Sequence, residues 1–242
     1  AALRPARGAR AGAMRFFTRE YLQNSTPSRK DGVDPDKEQQ FRRTYCNFIK
    51  KMVQELKLLS WTLETAIVFT HRFFAVRSIS KNDRFLVATA SVFLALKVDE
   101  SPRSLRDVAY VMVMTKNANK PAELLALKDN PDAYLAPLME SLLLAERSLL
   151  YTLAFDLNVD HSYPVLVENL KKLGMDKVDN ADDVKLFQLT HNMLNDSMIT
   201  TVCLQYHPRK IVAVAMQRVA KLSERKLPLP DGKSFTEYFD MT

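Results

Sequence analysis

Apolar residues crowd the segment from Asn82 to Leu105 (NDRFLVATASVFLALKVDESPRSL) so densely that no polar stripe remains. Phe85, Leu86, Val87, Val92, Phe93, Leu94 and Leu96 point every way around a helix, and Ala88, Ala90, Ser91 and Ala95 keep it slim. A helix that is apolar all round has to be wrapped by other helices. At about 14 residues it is shorter than the roughly 20 needed to span a bilayer. The pattern predicts the hub of a helical bundle, with Lys97 where the hub meets its surface.

The hub pattern occurs twice. RKIVAVAMQRVAKL, residues 209–222, aligns with RFLVATASVFLALK, residues 84–97, at an offset of 125. Upstream, Thr70-His71 is echoed by Thr190-His191 at an offset of 120. Two matching helices in the same order predict a duplicated all-α unit.

Around the hubs, Asp34-Pro35-Asp36-Lys37-Glu38 starts a helix in the expected way, with Asp as N-cap, Pro at the first helical position and acids near the positive end. That helix runs to about Leu56, with Phe41, Tyr45, Phe48, Ile49 and Met52 at helical spacing. A second helix is expected over 61–77, capped by Ser60, and a fourth over 104–114. The stretch 115–132 reads as a polar loop with two prolines, followed by a long fifth helix over 133–153. Beyond the linker, helices are expected over 161–173, 181–197 and 208–223, with a short turn at 234–238. A short element over 16–23 and a polar loop over 24–33 precede the first helix. The predicted organisation is a basic disordered tail over 1–15, a first five-helix unit over 16–156, and a second repeat over 157–242 that is incomplete at its C-terminal end.

Composition changes the picture little. The net charge of +7 suggests a nucleic-acid partner, but Arg4, Arg7, Arg10 and Arg15 carry four of those charges in an acid-free start, leaving +3 on the rest. Two isolated cysteines, Cys46 and Cys203, fit neither a disulfide framework nor a zinc site and point to a reducing, intracellular setting. Five glycines argue against glycine-loop architectures, and no phosphate-cradling loop, H-x-x-x-H pair or C-x-x-C occurs. No cofactor is implied. His71, His161, His191 and His207 are scattered and are read as structural, His71 and His191 as core histidines. Asp99-Glu100 sits in a helix-ending turn without a catalytic partner.

One charge placement resists a merely structural reading. Glu146 falls on the apolar stripe Leu135, Leu138, Leu142, Leu149, Leu153 of the fifth helix, and Lys97 ends the apolar hub. Two lone opposite charges on surfaces that pack together predict a partly buried ion pair. Such pairs add little stability after desolvation, so specificity or a partner is the better explanation.

Several motifs, in order, resemble the transcriptional cyclins of the T and K group. They are PSRKDGVDPDKE (27–38), ETAIVFTHRFF (64–74), ATASVFLALKVDESPRSLRDV (88–108), AERSLLYTLAFDLNVDH (145–161), TTVCLQY (200–206) and DGKSFTEYFD (231–240). The resemblance implies tandem five-helix cyclin boxes that bind and activate a cyclin-dependent kinase without catalysing anything themselves. It further implies a nuclear kinase acting on the C-terminal repeats of RNA polymerase II. Lys97, Glu100, Glu146, Leu150 and Phe155 match kinase-interface positions, and Arg42, His71, Arg72 and Phe73 match structural ones. The docking motif of mitotic cyclins is replaced by Phe41-Arg42-Arg43-Thr44-Tyr45-Cys46-Asn47-Phe48, so a docking groove of that type is not expected. Two other readings stay open: a TFIIB-like promoter binder using Lys210, Arg218, Lys221, Arg225 and Lys226, and an RNA-processing cyclin.

Overall fold

The computed structural model describes residues 16–177, 179–229 and 234–239. The expected basic tail, residues 1–15, and residues 230–233 with 240, which bear on the last motif, lie outside them. After a single wide helical turn at Tyr21–Ser25 come α1 (Pro27–Lys30), α2 (Pro35–Glu55), α3 (Ser60–Val76), α4 (Arg84–Val98), α5 (Leu105–Lys116), α6 (Pro121–Asp129) and α7 (Pro131–Leu153). Then follow α8 (Ser162–Lys172), α9 (Ala181–Ser197), a 3-10 turn (Val202–Leu204), α10 (Pro208–Leu222) and α11 (Phe235–Tyr238). The fold is all-α.

The helix starts obey local chemistry. Asp34 accepts from Asp36 N with Pro35 behind it, Asp83 accepts from Phe85 N and Leu86 N, and Ser104 accepts from Asp107 N. Ser60 does not cap α3. Leu59 holds the extended backbone of the cap position and Ser60 is already helical, so no side chain caps that end. The expected loop over 115–132 contains α6, because Pro121 occupies a first-turn position where its missing N–H costs nothing and Leu127 is fully buried. Likewise α7 starts two residues early, with Pro131 in its first turn and Asn130 accepting from Ala133 N. The polar loop over 24–33 folds a short helix, α1, under the Thr26 cap.

Val87 through Leu96 are buried without a break, as the all-round apolar pattern of α4 requires. The helices α2, α3, α5 and α7 surround it, and Leu142, Leu149 and Leu153 of α7 complete that core. Ala88 is wholly enclosed. Ala88→Leu is therefore expected to lose about 1–3 kcal/mol in urea unfolding, since added methylenes force neighbours off their rotamers.

A second core joins α8, α9 and α10 through Leu166, Leu170, Leu186, Leu194, Val212 and Met216. Here the hub equivalence is partial. Val212, Ala213, Ala215, Met216, Val219 and Ala220 are buried, but Val214, Arg218, Lys221 and Leu222 face solvent.

The connection between the two cores is fastened to α3. Arg72 donates to the carbonyls of Asp156 (3.3 Å) and Asn158 (3.0 Å). Both Glu64 carboxylate oxygens accept from Ser162 N at 3.0 Å, at the positive end of α8. Thr65 Oγ1 lies 2.9 Å from His161 Nε2. His71 is a core histidine: Tyr45 O–H donates to Nδ1 (2.6 Å) and Nε2–H donates to the Met198 carbonyl (2.8 Å). A carbonyl can only accept, which fixes the hydrogen on Nε2. Burial first, then the nearby Arg42 charge, pulls the His71 pKa down to about 3. His191 is not its equivalent. It is half-buried on the second unit, stacked on Phe187 with the edge of Tyr163 beside it, because α9 carries only Asp183, Leu186, Thr190 and Leu194 into its core.

Candidate functional site: a charged pair in an apolar rim

The C-terminal end of α4 meets α7 about two turns before that helix ends. Lys97 Nζ donates to both oxygens of Glu146, at 2.7 and 2.9 Å, and lies 4.2 Å from the Phe93 ring centroid. The pair is lopsided: the Lys97 side chain is 48% exposed and that of Glu146 is 9% exposed. The carboxylate is thus walled in by α7 while the ammonium reaches water. An ion pair open on one side contributes only about 0–1 kcal/mol to stability.

Each of the two helices ends in a left-handed residue that is not glycine. Glu100 has φ +52°, and the N–H of Ser101 returns to Leu96 O at 2.9 Å, closing α4. Ala154 and Phe155 have φ +53° and +57°, and Phe155 N returns to Leu150 O at 3.1 Å. Non-glycine residues in this region cost of order 1–3 kcal/mol each and persist where surrounding structure demands them. The consequence is geometric: Phe155 is thrown outward, 62% exposed, with Tyr151 edge-on at 6.1 Å. Leu150 is half-buried against the first core.

Leu143, Leu144 and Tyr151 are also exposed, and the sequence reading missed them. Their signal was the run Leu142-Leu143-Leu144. Of three consecutive leucines on an amphipathic helix, only one faces the core, and Leu142 is that one. Positions 143, 147, 150 and 151 share a helix face, which carries exposed Leu143 and Tyr151 beside Arg147 and the half-buried Leu150. Exposed apolar patches with charged members mark interaction sites.

The residues matched to structural positions are all engaged. Arg42 donates to Glu38 Oε1 (3.0 Å) and Gln39 Oε1 (2.6 Å). Arg29 meets the same Glu38 at 2.7 Å and donates to the carbonyls of Gln23 and Val33. The PSRKDG segment is therefore pinned to α2 through a carboxylate that is only 3% exposed. Phe73 is buried edge-on to Phe74.

Of the basic residues proposed for DNA, Arg218, Lys221 and Lys226 are exposed and Lys210 is half-buried. Arg225 is instead paired with buried Asp183. Among the described residues no His, Cys, Asp or Glu cluster could hold a metal ion, and no helix is long and apolar enough to cross a membrane. Both cysteines are free thiols.

The profile of the cyclin N-terminal domain matches residues 14–158, and the chain belongs to the cyclin family. Within that family its likeness is to the cyclin T group. It is 40% identical to Cyclin-T1-3 of Oryza sativa subsp. japonica over 239 residues, covering 99% of this chain and 47% of that protein. It is 35% identical to Cyclin-T1 of Mus musculus over 230 residues, covering 94% and 30%. The chain thus spans about half, or less, of the length of these relatives. Among solved structures, a chain of the yeast RNA Pol II CTD kinase CTDK-1 complex superposes with a TM-score of 0.70 at 19% identity, covering 87% of this chain and 63% of that one. A chain of the yeast TFIIK complex gives 0.64 at 20% identity, covering 88% and 90%. At these identities the likeness is one of fold.

Proposed function

We propose that this chain is the activating, non-catalytic regulatory subunit of a transcriptional cyclin-dependent kinase. In this reading the kinase phosphorylates the C-terminal repeats of RNA polymerase II in the nucleus, and residues 16–156 form the box that grips it. The observation that carries the reading is the Lys97–Glu146 pair, its ammonium open to water and its carboxylate buried, together with the exposed Tyr151 and Phe155 near the end of α7. The Cyclin-T1 relatives support it.

The arrangement suits a helix from a partner. The apolar rim offers area, the Lys97 ammonium caps backbone carbonyls, and Glu100 offers a carboxylate for a cation or N–H. Held inward, the kinase's regulatory helix completes the Lys–Glu pair needed for phosphoryl transfer. Moving a kinase from one part active in a hundred to ninety-nine takes about 5.5 kcal/mol of preference for the active form. Roughly 220 Å² of additional apolar burial in that form supplies it. Activation is then a population shift and needs no catalytic group on this chain.

The test is capture from nuclear extract followed by a kinase assay on polymerase repeat peptide, for the wild type and for a Lys97→Ala, Glu146→Ala variant. Repeat-phosphorylating activity is expected with the wild type and at least tenfold less with the variant. Equal capture by both would remove the interface assignment, and no activity with either would remove the kinase reading in favour of promoter DNA or RNA.

A further inference from the structure

A serine or threonine precedes proline at two places, Thr26-Pro27 and Ser101-Pro102, and the fold treats them oppositely. Thr26 is 1% exposed and caps α1, its Oγ1 accepting from Arg29 N. Ser101 lies in the partly exposed segment just past the left-handed Glu100. Among the described residues its hydroxyl reaches only the Asp99 carbonyl, at 3.4 Å, long for an O–H···O bond. Residues 101–104 have no regular secondary structure, and Pro102, Arg103 and Ser104 are exposed. A residue before proline is biased toward extended backbone, the form in which kinases take an acceptor segment, and Ser101 lies outside any helix. Proline after the acceptor brings no N–H into the cleft, which suits enzymes that offer that position no acceptor.

We propose that Ser101 is a phosphorylation site for a proline-directed serine/threonine kinase using ATP, and that the phosphate weakens docking on the Lys97–Glu146 face. The site itself rests on the geometry of the turn; its effect rests on the function proposed above. In the transfer, Ser101 Oγ bonds to the γ-phosphorus as the bridging bond to ADP breaks, and the hydroxyl proton passes to the modifying kinase's base. The product adds a charge of about −1.5 to −2 to a turn already holding Asp99 and Glu100, four residues after Lys97. There it repels acidic partner groups and competes with Glu146 for the Lys97 ammonium.

The purified chain is incubated with a purified mitogen-activated protein kinase and Mg-ATP, and modified residues are located by mass spectrometry. One phosphate at Ser101 is expected, absent from Ser101→Ala, with none at Thr26. After treatment the wild type is expected to capture at least tenfold less repeat-phosphorylating kinase than before, while Ser101→Ala captures as much as it did untreated. A peptide spanning 96–108 that is modified while the folded chain is not would overturn the site. A phosphorylated chain that captures undiminished kinase would overturn the effect. If the untreated chain captures no kinase, the function falls, while the mass data still decide the site.

Discussion

Replacing Glu64 with glutamine is expected to make stability climb more steeply with pH between 4.5 and 6.5. Burial pushes the Glu64 carboxyl from its ordinary 4.5 up to about 7, against the opposing pull of Ser162. Over that range the folded chain keeps a proton that the unfolded chain has lost, so this group's stabilisation is complete below pH 4.5 and is lost as pH rises to 7. His71 works in the opposite sense. Its pKa falls from 6.5 to about 3, so its contribution is present above pH 6.5 and is lost as pH falls toward 3. Well inside this range each slope is about 1.4 kcal/mol per pH unit, and the two oppose each other. Glutamine is neutral throughout and can still accept from Ser162 N. Glu64→Gln removes the opposing slope, so between pH 4.5 and 6.5 the variant should gain roughly 2 kcal/mol of stability in urea unfolding relative to the wild type. Other groups titrate alike in both proteins, so the difference between the profiles is the readout. Parallel profiles would show that Glu64 is ionised in the fold.

Glu38→Ala is expected to cost about 3–5 kcal/mol, the range for breaking a buried ion pair by removing one partner. The loss leaves two cations, Arg29 and Arg42, with side chains only 14% and 13% exposed and no carboxylate between them. Arg42→Ala should cost less than half as much, because Arg29 still neutralises Glu38. Equilibrium urea denaturation measures both. Equal losses would mean that Arg29 does not share the carboxylate.

Those two predictions concern residues whose importance was not legible in sequence, and the reason is physical. Glu64 and Glu38 are acids on helices, which ordinarily face water; only the tertiary approach of Ser162 and Arg29 buries them. The hub was legible because an all-round apolar helix has a single physical outcome. The Lys97–Glu146 pair was legible because each charge interrupts an apolar row, and the structure joins them at 2.7 Å. The loop over 115–132 was misread because proline marks a helix start as well as a break, and only the burial of Leu127 distinguishes the two. The second histidine was misread because its place in the repeat says nothing of how its helix is rotated. The outward Phe155 was matched by resemblance alone; its backbone, left-handed without glycine, leaves no local trace.

The enclosure of α3 bears on how such a chain can diverge. From Thr62 to Ala75 every side chain is buried, and Glu64, Thr65, His71 and Arg72 all touch the second half of the molecule. A helix with no free face has no neutral sites, so inherited change must collect elsewhere. The outer face of α7 is under no such packing constraint. A lineage could exchange one partner for another there by altering a few exposed leucines and aromatics, with α3 handed down almost unaltered.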